Sequence, residues 1–255
     1  MTSVWYNGSM TIITSKANPL VKKAKKLQEK KHRKASYLIE GWHLFEEALA
    51  NGAEILSIFA LVDYEERLAN FSRVHWVAEN VLADLADSKT PQGIVAEIAF
   101  GEQKVPEALS GKWLMLEDVQ DPGNVGTMIR TADAAGFDGV IISNRTADIY
   151  NMKTLRSMQG SHFHLPIYRM QLPNFLTCAK SSHLPILATT LSKQSIDYQE
   201  VDKMTDFVLV MGNEGQGISQ QMAENADQLL HISMKGQAES LNVAVAAGIL
   251  MFALS

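Results

Sequence analysis

From residue 112 onward, apolar residues come in short unbroken runs separated by polar, glycine-containing turns and by stretches of helical period. Lys112–Leu116, Gly139–Ser143, Phe163–Ile167, Pro185–Thr190, Phe207–Met211 and Leu229–Ile232 read as strands. A run that is apolar at every position, not at every second one, belongs to a strand covered on both faces, as in a parallel sheet. Between these runs, Gly126–Ala135, Lys153–Met158, Asn174–Ser181 and a segment starting at Ser219 read as helices. The chain closes on Val243–Leu254, small and apolar all round, which predicts a helix buried on most sides. Strands alternating with helices predict an α/β domain over residues 112–255.

Residues 11–100 alternate as well, in shorter pieces. Asn18–Pro19 predicts a helix start, asparagine as cap and proline at the first helical position, with the helix running to about Lys34. Tyr37–Ile39 reads as a strand, Trp42–Asn51 as a helix stopped by Gly52, Ile55–Val62 and Val74–Val77 as strands, Val81–Ala86 as a helix and Gly93–Phe100 as a strand. This predicts a smaller α/β sandwich. Gly101–Gly111 reads as a linker. The first ten residues carry no clear pattern and read as an extension or an alternative start.

Composition narrows the function classes. Of 255 residues, 46% are hydrophobic, enough for a real core, and the longest apolar run is too short to span a bilayer. A soluble, cytoplasmic protein is expected. One cysteine, Cys178, excludes an internal disulfide or a multi-cysteine zinc site. The net charge of −5 hides a strong asymmetry. Lys16–Lys34 holds nine lysines and arginines against Glu29, a net +8 that leaves −13 on the remainder. A basic stripe on an acidic body is an electrostatic footprint for phosphate, although a solvated helix face gives the same run.

Three polar clusters interrupt the second half. Glu117–Gly126 leaves a strand, turns at Pro122–Gly123 and enters a helix bearing Arg130. Gly212–Ser219 follows another strand. Glu239, Ser240 and Asn242 stand at the mouth of the last helix. Unpaired backbone N–H groups and the dipole at a helix mouth favour negative charge. The second cluster spells G-x-x-G-x-G, unlike the dinucleotide fingerprint, and no Gly-Lys-Ser/Thr follows, which excludes a P-loop. A single such cluster is more often a plain strand–helix turn. Three at the C-terminal ends of parallel strands fall where α/β sheets bind ligands.

The order Asn124…Arg130-Thr131-Ala132, Gly212-Asn213-Glu214-Gly215 and Glu239-Ser240-Leu241-Asn242-Val243 resembles the three motifs of the SpoU (TrmH-type) RNA ribose 2′-O-methyltransferases of the SPOUT superfamily. Asn18-Pro19, the lysine-rich helix, Glu40-Gly41 and Thr90–Ala96 resemble the substrate-binding domain of that family. The likeness covers residues 11–254. Ser233 departs from it, since the family usually has proline there; a change in turn rigidity, not in chemistry, is expected.

The resemblance implies an α/β fold with a knotted (trefoil) parallel-sheet methyltransferase domain behind a smaller RNA-binding domain. It also implies a homodimer and S-adenosylmethionine as cofactor. By motif position Gly212, Asn213, Ile232 and Leu241 contact the cofactor, with Thr190 and Met234 lining the same pocket. By the same analogy Arg130 handles the ribose or its phosphate, while Asn124, Glu214, Ser240 and Asn242 hold Arg130 and the substrate. Lys16, Lys22, Lys23, Lys26, Lys30 and Arg33 are the expected RNA contacts. Ribosomal RNA is favoured as substrate; transfer RNA, a non-catalytic ribosome-assembly role and a small-molecule substrate are the alternatives. Arg156, Ser157 and Gly160 resemble a family segment near the RNA, or serve structure. His162 and His164, expected on one face of a strand with no acidic partner in view, do not make a metal site, and none is expected.

Overall fold

Unbroken apolar runs become buried parallel strands in the second half of the chain. The computed structural model describes residues 3–6, 10–101 and 104–255, so two residues of the expected linker, 102 and 103, lie outside it. In chain order the first elements are β1 (Ser3–Tyr6), β2 (Met10–Ile13), α1 (Pro19–Lys26), β3 (Ser36–Glu40), α2 (Trp42–Ala50), β4 (Ile55–Ala60), α3 (Glu65–Leu68), β5 (Val74–Trp76), α4 (Glu79–Leu85) and β6 (Ile94–Ala99). They are followed by β7 (Lys112–Leu116), α5 (Pro122–Ala134), β8 (Gly139–Ile142), α6 (Met152–Met158), β9 (Ile167–Arg169), α7 (Leu172–Ser181), β10 (Ile186–Thr189) and β11 (Ile196–Asp197). The last are β12 (Phe207–Met211), α8 (Gln220–Asn225), β13 (Gln228–His231) and α9 (Val243–Leu254).

The chain divides into two compact units, Met1–Glu102 with Tyr150–Phe163, and Gln103–Ile149 with His164–Ser255. In the first unit a four-stranded sheet runs β3-β6-β4-β5, antiparallel except for the β4/β5 pair. Val21, Ala24 and Leu27 meet Val81, Leu82 and Leu85 over Leu38, Phe59 and Val95, joining α1 and α4 to one face. Helix α6, far away in sequence, belongs here. Tyr150 sets its ring 4.7 Å from Tyr37, and Arg156 pairs with Asp87 at 2.9 Å.

Several sequence expectations shift. The first ten residues, without pattern in sequence, include β1 and part of β2, which pair antiparallel. Asn18 caps α1 as expected, Oδ1 accepting from Leu20 N at 2.9 Å, but the helix stops at Lys26 instead of running to Lys34. There Leu27 buries, and the Gln28 amide donates to the carbonyls of Asp84 and Leu85, diverting the chain into a separate turn at Lys30–His32. The strand expected at Phe163–Ile167 starts only at Ile167. Pro166 stands before it and can only accept, taking Val140 N at 3.0 Å, while Ser161–Phe163 forms a short turn. His162 therefore does not share a strand face with His164, and His164 does have an acidic partner, Asp133, at 2.7 Å.

The second unit carries seven strands in the order β11-β13-β10-β12-β7-β8-β9, all parallel. Chain order and sheet order differ at β10, β12 and β13, so the loops leaving these strands meet at one edge of the sheet. Phe175 of α7 is fully buried among Trp113, Met115, Ile141, Ile186, Val208 and Met222. Helix α5 starts at Pro122, four residues earlier than its apolar pattern, because Asp121 caps Asn124 N at 2.9 Å and Pro122 fits the first turn. Helix α9 packs on α5 but is not covered all round as its sequence suggests. Val245 (52%), Ile249 (36%) and Phe252 (58%) remain exposed along one stripe. Among the described residues no helix is long and apolar enough to cross a membrane.

Phe175→Ala removes a ring from the centre of this core and is expected to lower unfolding free energy by about 3–5 kcal/mol. A urea melt of wild type and variant checks it. A loss below about 1 kcal/mol would mean that the site collapses around the missing ring.

Candidate active site

Loops that leave the C-terminal ends of β10, β12 and β13 meet over a cavity of about 570 Å³. Its walls include Thr190, Gly212, Asn213, Glu214, Ile232, Met234, Ser240, Leu241 and Asn242, so most of the residues singled out in the sequence come together. Leu191, Ser192, Met211, Gln216 and His231 also line it and carried no signal beyond their position beside the polar clusters. Gly212 is required by close approach. A Cβ there would sit 2.3–2.6 Å from the backbone of Gly217 and Ile218, which fold back over it. The hairpin-like bonds between Asn213 and Gly217, 2.9 Å in both directions, hold that fold.

The donors around the cavity divide into spent and unspent. Among the described residues, the backbone N–H groups of Gly212, Ile232 and Leu241 have no hydrogen-bond acceptor. The mouth of α9 differs from the sequence expectation of open N–H groups. Asn242 Oδ1 accepts from Ala244 N at 2.9 Å and Val245 N at 3.3 Å, capping the helix. Asn213, read from sequence as a cofactor contact, turns its amide into its own loop. Oδ1 accepts from Gly215 N and Gln216 N, and Nδ2 donates to the Asp118 carbonyl at 2.9 Å.

Glu214 joins the loops. Its carboxylate accepts from Gln120 N and Asp121 N, each at 3.0 Å, and from Asn124 Nδ2 at 3.2 Å. Asn124 Oδ1 in turn accepts from Asn242 Nδ2 at 3.1 Å. All three sequence clusters thus share one chain of bonds, Glu214–Asn124–Asn242. Arg130 is not in it, contrary to the expectation that these residues hold it. Six residues further along α5, it lies about 9 Å up the axis and about 120° around from Asn124 by ideal helix geometry. It is exposed, with no ion pair or side-chain hydrogen bond to any described residue. Ser240 is exposed at the rim, likewise without a side-chain bond among described residues.

A second network lay unseen in the sequence. Asp118 adopts φ +58, a left-handed conformation that aspartate tolerates better than most residues. Its carboxylate accepts from Ser143 Oγ at 2.6 Å and from the Arg145 guanidinium, Nε at 2.9 Å. Burial pushes the Asp118 carboxyl up, but the bonds from Arg145 and Ser143 outweigh it and hold it below the usual carboxylate range. Glu117, buried, accepts from Ser219 N and Oγ and so fixes the start of α8. The acidic pair Glu117-Asp118 was the available signal, since buried carboxylates after a strand need donors.

In the first unit, the expected RNA contacts differ in availability. Lys22, Lys23, Lys26 and Lys30 are exposed with no ion-pair partner among the described residues. Lys16 shares Asp84 with Lys25, and Arg33 donates to the Tyr150 carbonyl. Asp84 is held below the usual carboxylate range by the Lys25 bond first, which with the charge of Lys25 and Lys16 outweighs the opposing effect of burial.

Burial also pushes the Glu214 carboxyl up, and the N–H groups of Gln120 and Asp121 with the Asn124 amide more than reverse it, leaving it below the ordinary value. A carboxyl lowered on folding stabilises above its unfolded pKa of about 4.3, and that share is lost as pH falls through the folded value. The stability gap between wild type and Glu214→Gln is therefore expected to be full at pH 7 and to close below about pH 4. Denaturant melts across that range read it, and a gap that does not depend on pH would remove charge from the role of Glu214.

The description "SpoU rRNA Methylase family" matches residues 112–252, and "MRM3-like substrate binding domain" matches residues 18–96. The chain is 43% identical over 251 residues to the 23S rRNA (guanosine(2553)-2'-O)-methyltransferase RlmP of Bacillus subtilis (strain 168), covering 96% of this chain and 99% of that one. The structure of the AdoMet-bound rRNA methyltransferase from Sinorhizobium meliloti superposes with TM-score 0.86 at 34% identity, covering 97% of this chain and 98% of that one. The SpoU methyltransferase AviRb from Streptomyces viridochromogenes, in complex with the cofactor AdoMet, gives TM-score 0.78 at 25% identity over 93% and 97%. Two matched halves, three linked motif loops and near-complete coverage by these relatives agree: the chain belongs to the SpoU rRNA methylase family.

Proposed function

We propose that this protein transfers a methyl group from S-adenosylmethionine to a ribose 2′-hydroxyl of ribosomal RNA, in the cytoplasm. The observation that carries the reading is the cavity with unspent N–H donors at Gly212, Ile232 and Leu241, set beside the Glu214–Asn124–Asn242 chain. Its size suits a drug-sized ligand, and apolar Leu230, Ile232, Met234, Leu241 and Leu250 suit a flat heterocycle whose polar edge meets backbone donors. Bound S-adenosylmethionine supplies a methyl group already activated by its sulfonium.

A ribose hydroxyl is a poor nucleophile at neutral pH, so orientation and proton removal fall to the protein and its surroundings. Arg130, whose guanidinium has no partner among the described residues, suits bidentate contact with the ribose or the neighbouring phosphate. Arg130 positions and neutralises the substrate while phosphate or water accepts the proton. Ser240 at the rim can bond the substrate, while Asn124, Glu214 and Asn242 keep the loops in register. Asn213 acts on the cofactor through the loop that its amide shapes. Lys22, Lys23, Lys26 and Lys30 supply the phosphate contacts of the first unit, joined by Lys16 and Arg33 when RNA displaces their present partners.

The reading includes a homodimer and a trefoil knot. Support for the dimer is the stripe Val245, Ile249 and Phe252, apolar and uncovered on a helix whose other face is core. Support for the knot is the segment between β13 and α9, which returns to the cavity beside the loops after β10 and β12.

Two experiments test this. Tritiated S-adenosylmethionine with RNA from cells lacking the protein, supplied free and as ribosomal particles, is expected to label ribosomal RNA at an alkali-resistant linkage. Arg130→Ala is expected to cut transfer by about 10²-fold or more while the dissociation constant for cofactor changes less than about twofold. Loss of both together would count against the role of Arg130, and no transfer to any RNA would overturn the function. In sedimentation, wild type is expected to run as a dimer and Phe252→Glu as a monomer; a wild-type monomer would sink the dimer.

A further inference from the structure

Between β13 and α9 the chain runs irregularly from Ile232 to Asn242, and this loop carries Ile232, Met234 and Leu241 of the cavity wall. Irregular backbone keeps its donors aimed only where something anchors it. At the exit the anchor is Asn242, bonded to Asn124 and to the helix it caps. At the entry the anchor comes from β11, a two-residue edge strand that adds little to the core, since Ile196 is 37% exposed.

Asp197 of β11 sits opposite His231 in the parallel register. Its Oδ2 accepts from Ser233 N at 3.2 Å, and its Oδ1 accepts from Gln199 N at 2.9 Å. His231 Nδ1 lies 3.0 Å from Ser195 Oγ, and His231 Nε2 lies 3.3 Å from Ser233 Oγ. Ser195 Oγ donates to the Ser192 carbonyl at 2.6 Å, and Ser192 lines the cavity. The bonds therefore link the segment Ser192–Asp197 to the segment His231–Ser233, with the cavity touched by both. The Asp197 carboxyl is held below the ordinary range, first by the Ser233 side chain, then by Gln199 and Ser233 N–H groups, with His231 adding a little. Position 233 is a serine, whose backbone carries the N–H that a proline there would lack. This chain has a donor there, and Asp197 receives it.

We propose that Asp197 is a positioning residue for the cofactor pocket, acting through Ser233 N–H to fix the backbone of Ile232 and Met234. The proposal rests on the reading of the cavity as the S-adenosylmethionine site.

The test is a double-mutant cycle on the full-length protein, read by calorimetric titration with S-adenosylmethionine and, separately, by melting of the ligand-free protein. Asp197→Ala is expected to weaken binding about 5- to 10-fold, within what a single intramolecular hydrogen bond is worth. Asp197→Asn, which keeps an acceptor in place, should recover most of it. In a Ser233→Ala background, which keeps the N–H and removes the hydroxyl, Asp197→Ala should cost as much as with serine, whereas in a Ser233→Pro background, without the N–H, it should cost less than about twofold. An equal loss at position 197 with serine or proline at 233 would overturn the proposal. So would wild-type affinity in Asp197→Ala, or a loss that follows a lowered melting temperature. Failure of wild type to bind S-adenosylmethionine would instead fell the reading of the cavity, and the proposal with it.

Discussion

The Glu214 carboxylate is the tie on which the geometry of the site depends. A parallel sheet brings the ends of β7, β12 and β13 to one edge but leaves their loops as separate chains, each free to find its own conformation. Glu214 accepts from two backbone N–H groups of the loop after β7 and from Asn124, and Asn124 carries the connection on to Asn242. One carboxylate therefore fixes the start of α5 against the loop after β12, and through Asn124 against the start of α9.

Around that tie the structure separates residues that shape the site from residues left open to act. Asn213, Asn242, Asp118 and Glu117 spend their polar atoms on loop backbone or on neighbouring side chains. Among the described residues, Arg130, Ser240 and the N–H groups of Gly212, Ile232 and Leu241 do not. The division follows local chemistry. Asparagine and aspartate bond nearby backbone readily, so they appear at caps and turns, while a long guanidinium on an exposed helix face remains available.

Much of this was legible from sequence. Unbroken apolar runs disclosed the parallel sheet, because burial on both faces leaves no room for alternation. The polar clusters disclosed the site, because they follow those strands. What stayed hidden depended on partners distant along the chain. The stop of α1 at Lys26 follows from Gln28 reaching Asp84 and Leu85, which no local propensity records. The short edge strand β11 has too few residues for a period. The Asp118 network needs Ser143 and Arg145, which come from a different loop. The membership of Tyr150–Phe163 in the first unit was hidden for the same reason, since its helix is flanked on both sides by strands of the other unit.

That last arrangement bears on how the chain is made. The first unit cannot be completed when its four-stranded sheet leaves the ribosome, because Met152, Leu155 and Met158, which α6 buries, arrive some fifty residues later. Until residue 163 is synthesised, the nascent sheet lacks a covering piece, and strands β7 and β8 emerge in the interval. A fragment cut at residue 101 would inherit the same gap, so the boundary that looks natural in sequence is not one at which this protein can be divided without exposing its interior.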